Sequence, residues 1–206
     1  MAMQIQTKIS SLTQMRSLRY WYLALIIIAI SGLCFVFQDY DHFWDYQKST
    51  INNGEVWRLF SGHFSHTNGF HLLLNISALI LLNAIHGQFY RIKTVVPLMV
   101  TNALIVSGGL YFTSDITHYV GLSGILHGLF IWGALKDIQN NEKTGVWLFL
   151  GIWLKVIYEQ VSGPSNDVVQ LIDANVAIDA HLWGAIAGSF YFVFSVYYRR
   201  FTNRDE

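Results

Sequence analysis

Six stretches of almost unbroken apolar sequence divide this chain, at 20–37, 70–85, 95–112, 120–135, 146–158 and 176–198. A helix needs about 20 such residues, and no fewer than about 17, to cross the hydrocarbon core of a bilayer. The first, third and last stretches reach or approach that length. The second, fourth and fifth are short or carry polar residues. Only 13% of the 206 residues are charged and 53% are hydrophobic, against about 25% charged in a soluble domain. These features predict an all-α integral membrane protein, one six-helix bundle over 1–206 with short charged ends at 1–19 and 199–206. Thirteen basic residues balance thirteen acidic ones, so no net charge points to a nucleic-acid partner. The single Cys34 excludes an intrachain disulfide and any multi-cysteine metal site.

The basic flank of Lys8, Arg16 and Arg19 would suit a signal peptide, but the apolar run after it is too long for a signal core. Leu33 also stands before Cys34, where a lipoprotein signal needs a small residue. The stretch therefore reads as an uncleaved first span. With the N-terminus inside, ten basic residues face the cytoplasm: Lys8, Arg16, Arg19, Arg91, Lys93, Lys136, Lys143, Arg199, Arg200 and Arg204. Two, Lys48 and Arg58, lie outside, and Lys155 falls within the fifth span. That asymmetry sets both termini inside. The outer segments are acidic, holding Asp39, Asp41, Asp45, Glu55, Asp115, Glu159, Asp167 and Asp173. The longest of them are 38–69 and 159–175.

Polar groups inside a span are costly, so each is a candidate for function. The fourth span opens with Gly121-Leu122-Ser123-Gly124 and runs on through His127 and Gly128. At about 1.5 Å per residue it is too short to fill the core, so its N-terminus is expected below the outer surface, under a water-filled cavity. There the free N–H groups and the positive end of the helix dipole favour a developing anion beside Ser123. Gly124 and Gly128 lie four apart, as do Gly184 and Gly188 in the sixth span, one turn beyond His181. Two glycine faces let helices approach closely. That approach would bring His181 within the 2.6–3.2 Å or so in which a base activates a serine. His71 and Asn75, four apart on the second span, could point side-chain N–H groups at the same place and form an oxyanion hole with the Ser123 N–H.

Together these residues resemble the rhomboid family of intramembrane serine proteases. Glu55-Val56-Trp57-Arg58 is similar to the family's WR motif. His66, His71 and Asn75 fall at the spacing of its second-helix histidine and asparagine. Gly121-Leu122-Ser123-Gly124 is similar to its GxSG, and Ala180-His181 through Gly184 and Gly188 to its AHxxGxxxG. The resemblance runs from about residue 55 to 190, with four motifs in order. It implies a rhomboid-like bundle in which Ser123 is the nucleophile and His181 the general base. His71 and Asn75 would stabilise the oxyanion, and Trp57 and Arg58 would fix the outer loop. It implies a two-member dyad with no acidic third member. Asp179, about 200° around the helix from His181, is in any case badly placed to orient it.

The extended string Gly121-Leu122-Ser123-Gly124-Ile125-Leu126-His127-Gly128, in a minimal six-span chain, is similar to the rhombosortase subgroup. That narrower resemblance implies a multi-pass enzyme of the bacterial inner membrane with its site open to the periplasm. Its partners would be membrane lipids and secreted substrates ending in a Gly-Gly region, an apolar helix and basic residues. Hydrolysis and transfer to an amine acceptor both remain open.

Other readings attach to several residues. A serine in a membrane helix often bonds back to a carbonyl one turn earlier. His127, four residues after Ser123, reads as a core histidine, with substrate or water contact as the alternative. His63, His66 and His71 could suggest a zinc site, but no HExxH accompanies them, so neither metal nor cofactor is expected. His42, His86 and His118 fall in loops with no assigned part. Lys155 is expected to meet Glu159 one turn on, near the outer interface. A rhomboid-like protein that binds without cleaving is the alternative function.

Overall fold

The computed structural model describes residues 21–38 and 42–202, with side chains up to residue 198. Expectations placed on 1–19, Asp39, Asp41 and the basic residues of 199–206 fall outside what it describes. The described chain is built of helices. They are α1 (Tyr22–Val36), α2 (Lys48–Asn52), α3 (Arg58–Ser61), α4 (Gly69–His86), α5 (Ile92–Thr113), α6 (Ser123–Gln139), α7 (Lys143–Ser162), α8 (Asn166–Ile172) and α9 (Ile178–Thr202). Two residue pairs form a small antiparallel ribbon, β1 (Tyr46–Gln47) on β2 (His118–Tyr119), with Tyr46 opposite Tyr119.

Helix α6 is the hub. It packs against α5, α7, α9 and α4, and Ile125, Leu126, Leu129, Ile131, Trp132 and Ala134 are all buried on it. A helix buried on every side needs apolar residues all round, which this sequence supplies. One cluster joins it through Leu79, Leu82 and Leu98 to α4 and α5. Another, Ile131 with Val156 and Ala185, joins it to α7 and α9.

Many polar residues are buried beside the apolar core, and large apolar residues cover much of the described surface. His63, Ser65, His66, Asn75, Asn83, His86, Asn102, Ser107 and His181 are buried. Leu25, Leu33, Phe70, Leu81, Trp147, Leu154, Phe190 and Phe194 face outward. Such a surface suits a lipid environment, where side-chain polar groups are directed into the bundle. Gly69–Phe89 and Ile92–Thr113 are each long and apolar enough to cross a membrane.

Sequence and structure part at element ends. The fifth apolar stretch, expected at 146–158, is a helix from Lys143 to Ser162. Polarity at Glu159 and Gln160 does not stop a helix whose backbone bonds continue, and Gly163 (φ 79°) ends it. Segment 159–175 is thus partly helical and holds α8, as 38–69 holds β1, α2 and α3.

Candidate active site

Ser123 is the first residue of α6. The Leu126 N–H donates to Leu122 O at 3.0 Å, and earlier N–H groups have no carbonyl one turn back. The approach to Ser123 is locked from two sides. Gly121 N–H donates to Gly62 O at 3.0 Å, and the Tyr119 hydroxyl donates to Gly121 O. Gly121 adopts φ 126°, and a Cβ there would stand 2.8 Å from the His71 ring. Both conformation and space therefore demand glycine.

His181 lies in the first turn of α9, buried, with Nε2 3.0 Å from Ser123 Oγ. The glycines explain the approach. A Cβ on Gly184 would collide with the Gly124 carbonyl oxygen, and one on Gly188 with that of Gly128. Helices α6 and α9 thus meet backbone to backbone, as the paired four-residue spacings predict.

The opposite nitrogen of His181 has an acidic neighbour that spacing along its own helix does not reveal. Nδ1 lies 2.9 Å from Oε2 of Glu159, near the end of α7. Lys155, one turn earlier, donates to Glu159 Oε1 at 2.7 Å, as its spacing predicts. It also donates to His127 Nε2 at 3.2 Å. His127 Nδ1 donates to Ser123 O at 2.7 Å, and its ring stacks on His181 with centroids 4.1 Å apart and planes 19° from parallel. His127 is therefore a member of the site cluster, beyond the core role first read for it. Asp179 turns away, as expected, and accepts from Ser114 Oγ at 2.5 Å and Gln160 Nε2 at 3.3 Å.

His71 and Asn75 sit on the buried face of α4. Asn68 caps this helix by accepting the His71 N–H at 2.9 Å. His71 Nδ1 lies 3.1 Å from Thr67 Oγ1 and 3.4 Å from Thr67 N, and the Thr67 hydroxyl donates to Ile172 O at 2.7 Å. Asn75 Nδ2 donates to His71 O at 3.1 Å. A cavity of about 440 Å³ lies over Ser123 and His71, walled by Thr117, Tyr119, Ile172 and Val176. A second, apolar cleft of about 170 Å³ lies between α4 and α7, bounded by Ala78, Leu81, Ile152 and Phe130, and ends at His127 and Lys155.

Arg58 is buried and ties together the segment between α1 and α4. Its Nε donates to Glu55 at 2.5 Å, and Nη1 donates to the carbonyls of His42 and Asp45 at 2.6 and 2.7 Å. Trp57 stacks on Phe43, with centroids 5.3 Å apart, and reaches Phe43 O at 3.4 Å.

Three histidines given no part have defined contacts. His42 and His118 both donate to Asp45 Oδ2, at 2.9 and 3.0 Å. His86 ends α4, fully buried, 3.1 Å from Asp137 Oδ2. Of the once-suspected zinc trio, His63 directs Nε2 to Ser107 Oγ at 3.0 Å and His66 directs Nδ1 to Phe64 O at 3.1 Å. His127, Glu159 and His181 also bring metal-ligating atoms within 4.8 Å of one another. The Lys155 ammonium, already bonded to two of the three, opposes a further cation there.

Compared with known families, the sequence matches the Rhomboid domain over residues 53–198. That range takes in every candidate residue from Trp57 to Gly188. No curated protein matches the chain.

Proposed function

This chain belongs to the rhomboid family of membrane proteins, in general serine proteases that act within the bilayer, and we propose that it is an endopeptidase with Ser123 as nucleophile and His181 as its base. The 3.0 Å contact between Ser123 Oγ and His181 Nε2 carries this reading. It falls within the distance a general base needs. Ser123 Oγ attacks the substrate carbonyl carbon, and His181 takes the hydroxyl proton. His181 then returns a proton to the leaving amine, and water or another amine resolves the acyl-enzyme.

The oxyanion forms at the start of α6, where the Ser123 N–H and the helix dipole favour negative charge. His71 and Asn75 flank it from α4. In the tautomer in which the Thr67 N–H donates to Nδ1, the proton of His71 lies on Nε2, beside Gly121. That form can donate to an oxyanion. One such donor contributes about 2.7–4 kcal/mol to acyl transfer. Trp57 and Arg58 hold the outer loop over the site.

The whole chain is one six-span domain in this reading, made of α1, α4, α5, α6, α7 and α9 with both termini cytoplasmic. The cavity over Ser123 opens to the outer side, the periplasm of a bacterial inner membrane. At 17 residues, α6 is about 25 Å long, which supports a submerged N-terminus. The cleft between α4 and α7 supports entry of a substrate helix from the lipid. The substrate class is that of rhombosortases: a secreted protein whose C-terminal tail carries Gly-Gly, an apolar helix and basic residues. Glycines unwind readily from a helix and expose their amides to attack.

Fluorophosphonate labelling of the purified chain in detergent tests the assignment, beside Ser123→Ala and His181→Ala. Labelling of the native protein alone is expected. Equal labelling of Ser123→Ala would remove Ser123 as nucleophile. A folded native chain that does not label would favour a rhomboid-like binding protein instead.

A further inference from the structure

We propose that Glu159 is a positioning residue that makes the Ser123–His181 pair a three-member relay, with Lys155 setting its charge balance. This rests on the protease reading above and adds a helix, α7, to the catalytic machinery.

An ionised carboxylate only accepts, so His181 Nδ1, at 2.9 Å from Glu159, is the donor. Neutral His181 then carries its proton on Nδ1 and offers the Nε2 lone pair to the Ser123 hydroxyl. As the Oγ–C bond forms, the carbonyl electron pair moves onto oxygen and the Oγ proton passes to Nε2. His181 becomes a cation with Glu159 as its counter-ion, while the Nδ1 proton stays in place. The Nε2 proton goes to the amine nitrogen as the C–N bond breaks. A carboxylate on Nδ1 thus serves both the resting tautomer and the charged state.

The surroundings fix a second histidine by the same logic. Ser123 O only accepts, so His127 donates from Nδ1, and its Nε2 receives the Lys155 ammonium. His127 is therefore held neutral, and its uncharged face lies against His181 at 4.1 Å. The side chains of His181 and Glu159 are 7% and 14% exposed, so water screens their contact little. Other titratable groups around His181 are Lys155 on α7, His127 on α6 and His71 on α4. Asp179, on its own helix, is engaged by Ser114 and Gln160.

The test is the second-order rate of fluorophosphonate labelling of the full chain in detergent, followed from pH 5 to 9. Glu159→Ala should label about a hundredfold more slowly, in the range lost with a misdirected base. Glu159→Gln can still accept the Nδ1 proton but carries no charge. It should retain more activity, with the acid limb of its profile moved to lower pH. Lys155→Met removes a positive charge and should move that limb the opposite way. A merely structural role would move neither limb. Limbs of Glu159→Gln and Lys155→Met that coincide with the native one would overturn the proposal. If Glu159→Ala does not fold, by size-exclusion profile, the near-isosteric Gln variant decides alone. Ser123→Ala runs in the same series. Its labelling would sink the protease reading itself, whereas a silent Ser123→Ala beside unaffected Glu159 variants would sink only this inference.

Discussion

A histidine sealed inside a protein supports the fold only while it is uncharged, and His63 is such a residue. It is fully buried between α3 and α4, and it bonds to Ser107 Oγ at 3.0 Å and Ala103 O at 3.3 Å, tying the segment before α4 to α5. Burial pushes its pKa down to about 4, against about 6.5 in an unfolded chain. Between those values the unfolded state binds the proton first. Stability is therefore full above pH ~6.5 and is lost as pH falls toward 4, by up to about 1.4 kcal/mol per pH unit. Melting temperatures from pH 7 to 4.5 should fall more steeply for the native protein than for His63→Gln. Parallel slopes would contradict this. The sequence showed His63 only as one of three nearby histidines, because residue type does not reveal whether an imidazole meets a metal or a serine from another helix. Glu159 was hidden for a similar reason. Helical periodicity measures Asp179 against His181 on one helix, but it cannot bring in a carboxylate from α7, 22 residues away in the chain.

Among the helices, the seam between α6 and α9 sets the geometry of the candidate pair. Gly184→Ala would drive a methyl group into the Gly124 carbonyl oxygen, a main-chain atom that no rotamer change can move. Overpacking of this kind costs about 1–3 kcal/mol. Because the strain falls one turn from His181, it should also lengthen the Ser123–His181 contact. Gly184→Ala is expected to melt at a lower temperature and to label with fluorophosphonate at least tenfold more slowly. Labelling at the native rate would show that the seam does not position the pair. This seam was legible in the sequence, since two four-residue glycine spacings on apolar helices have few other uses. Helix ends were less so. Apolar content marks where lipid contact stops, whereas α7 continues through Glu159 until Gly163 breaks it.

Two cavities border the site in the molecule as a whole, and in the proposed function they are the routes into it. A cavity of about 440 Å³ reaches Ser123 past His71 and Ile172, and the cleft between α4 and α7 reaches His127 from the side. In the proposed function, small water-soluble probes take the first route and substrate helices the second. With Cys34 replaced by serine, the pair Ala78→Cys and Ile152→Cys bridged by a short bis-maleimide should close the cleft. Cleavage of a membrane-anchored Gly-Gly tail substrate should then stop while fluorophosphonate labelling persists. Continued cleavage after complete bridging would place substrate entry elsewhere. The membrane character of the helices was legible from composition, but the two cavities were not, since each gathers residues from distant parts of the chain. The glycine seam has one more consequence. Because main-chain contacts set how closely α6 and α9 approach, that spacing does not depend on side chains such as Thr117 and Val176 that line the cavity elsewhere. What such a protein recognises can then be rewritten over generations while its manner of cutting stays the same.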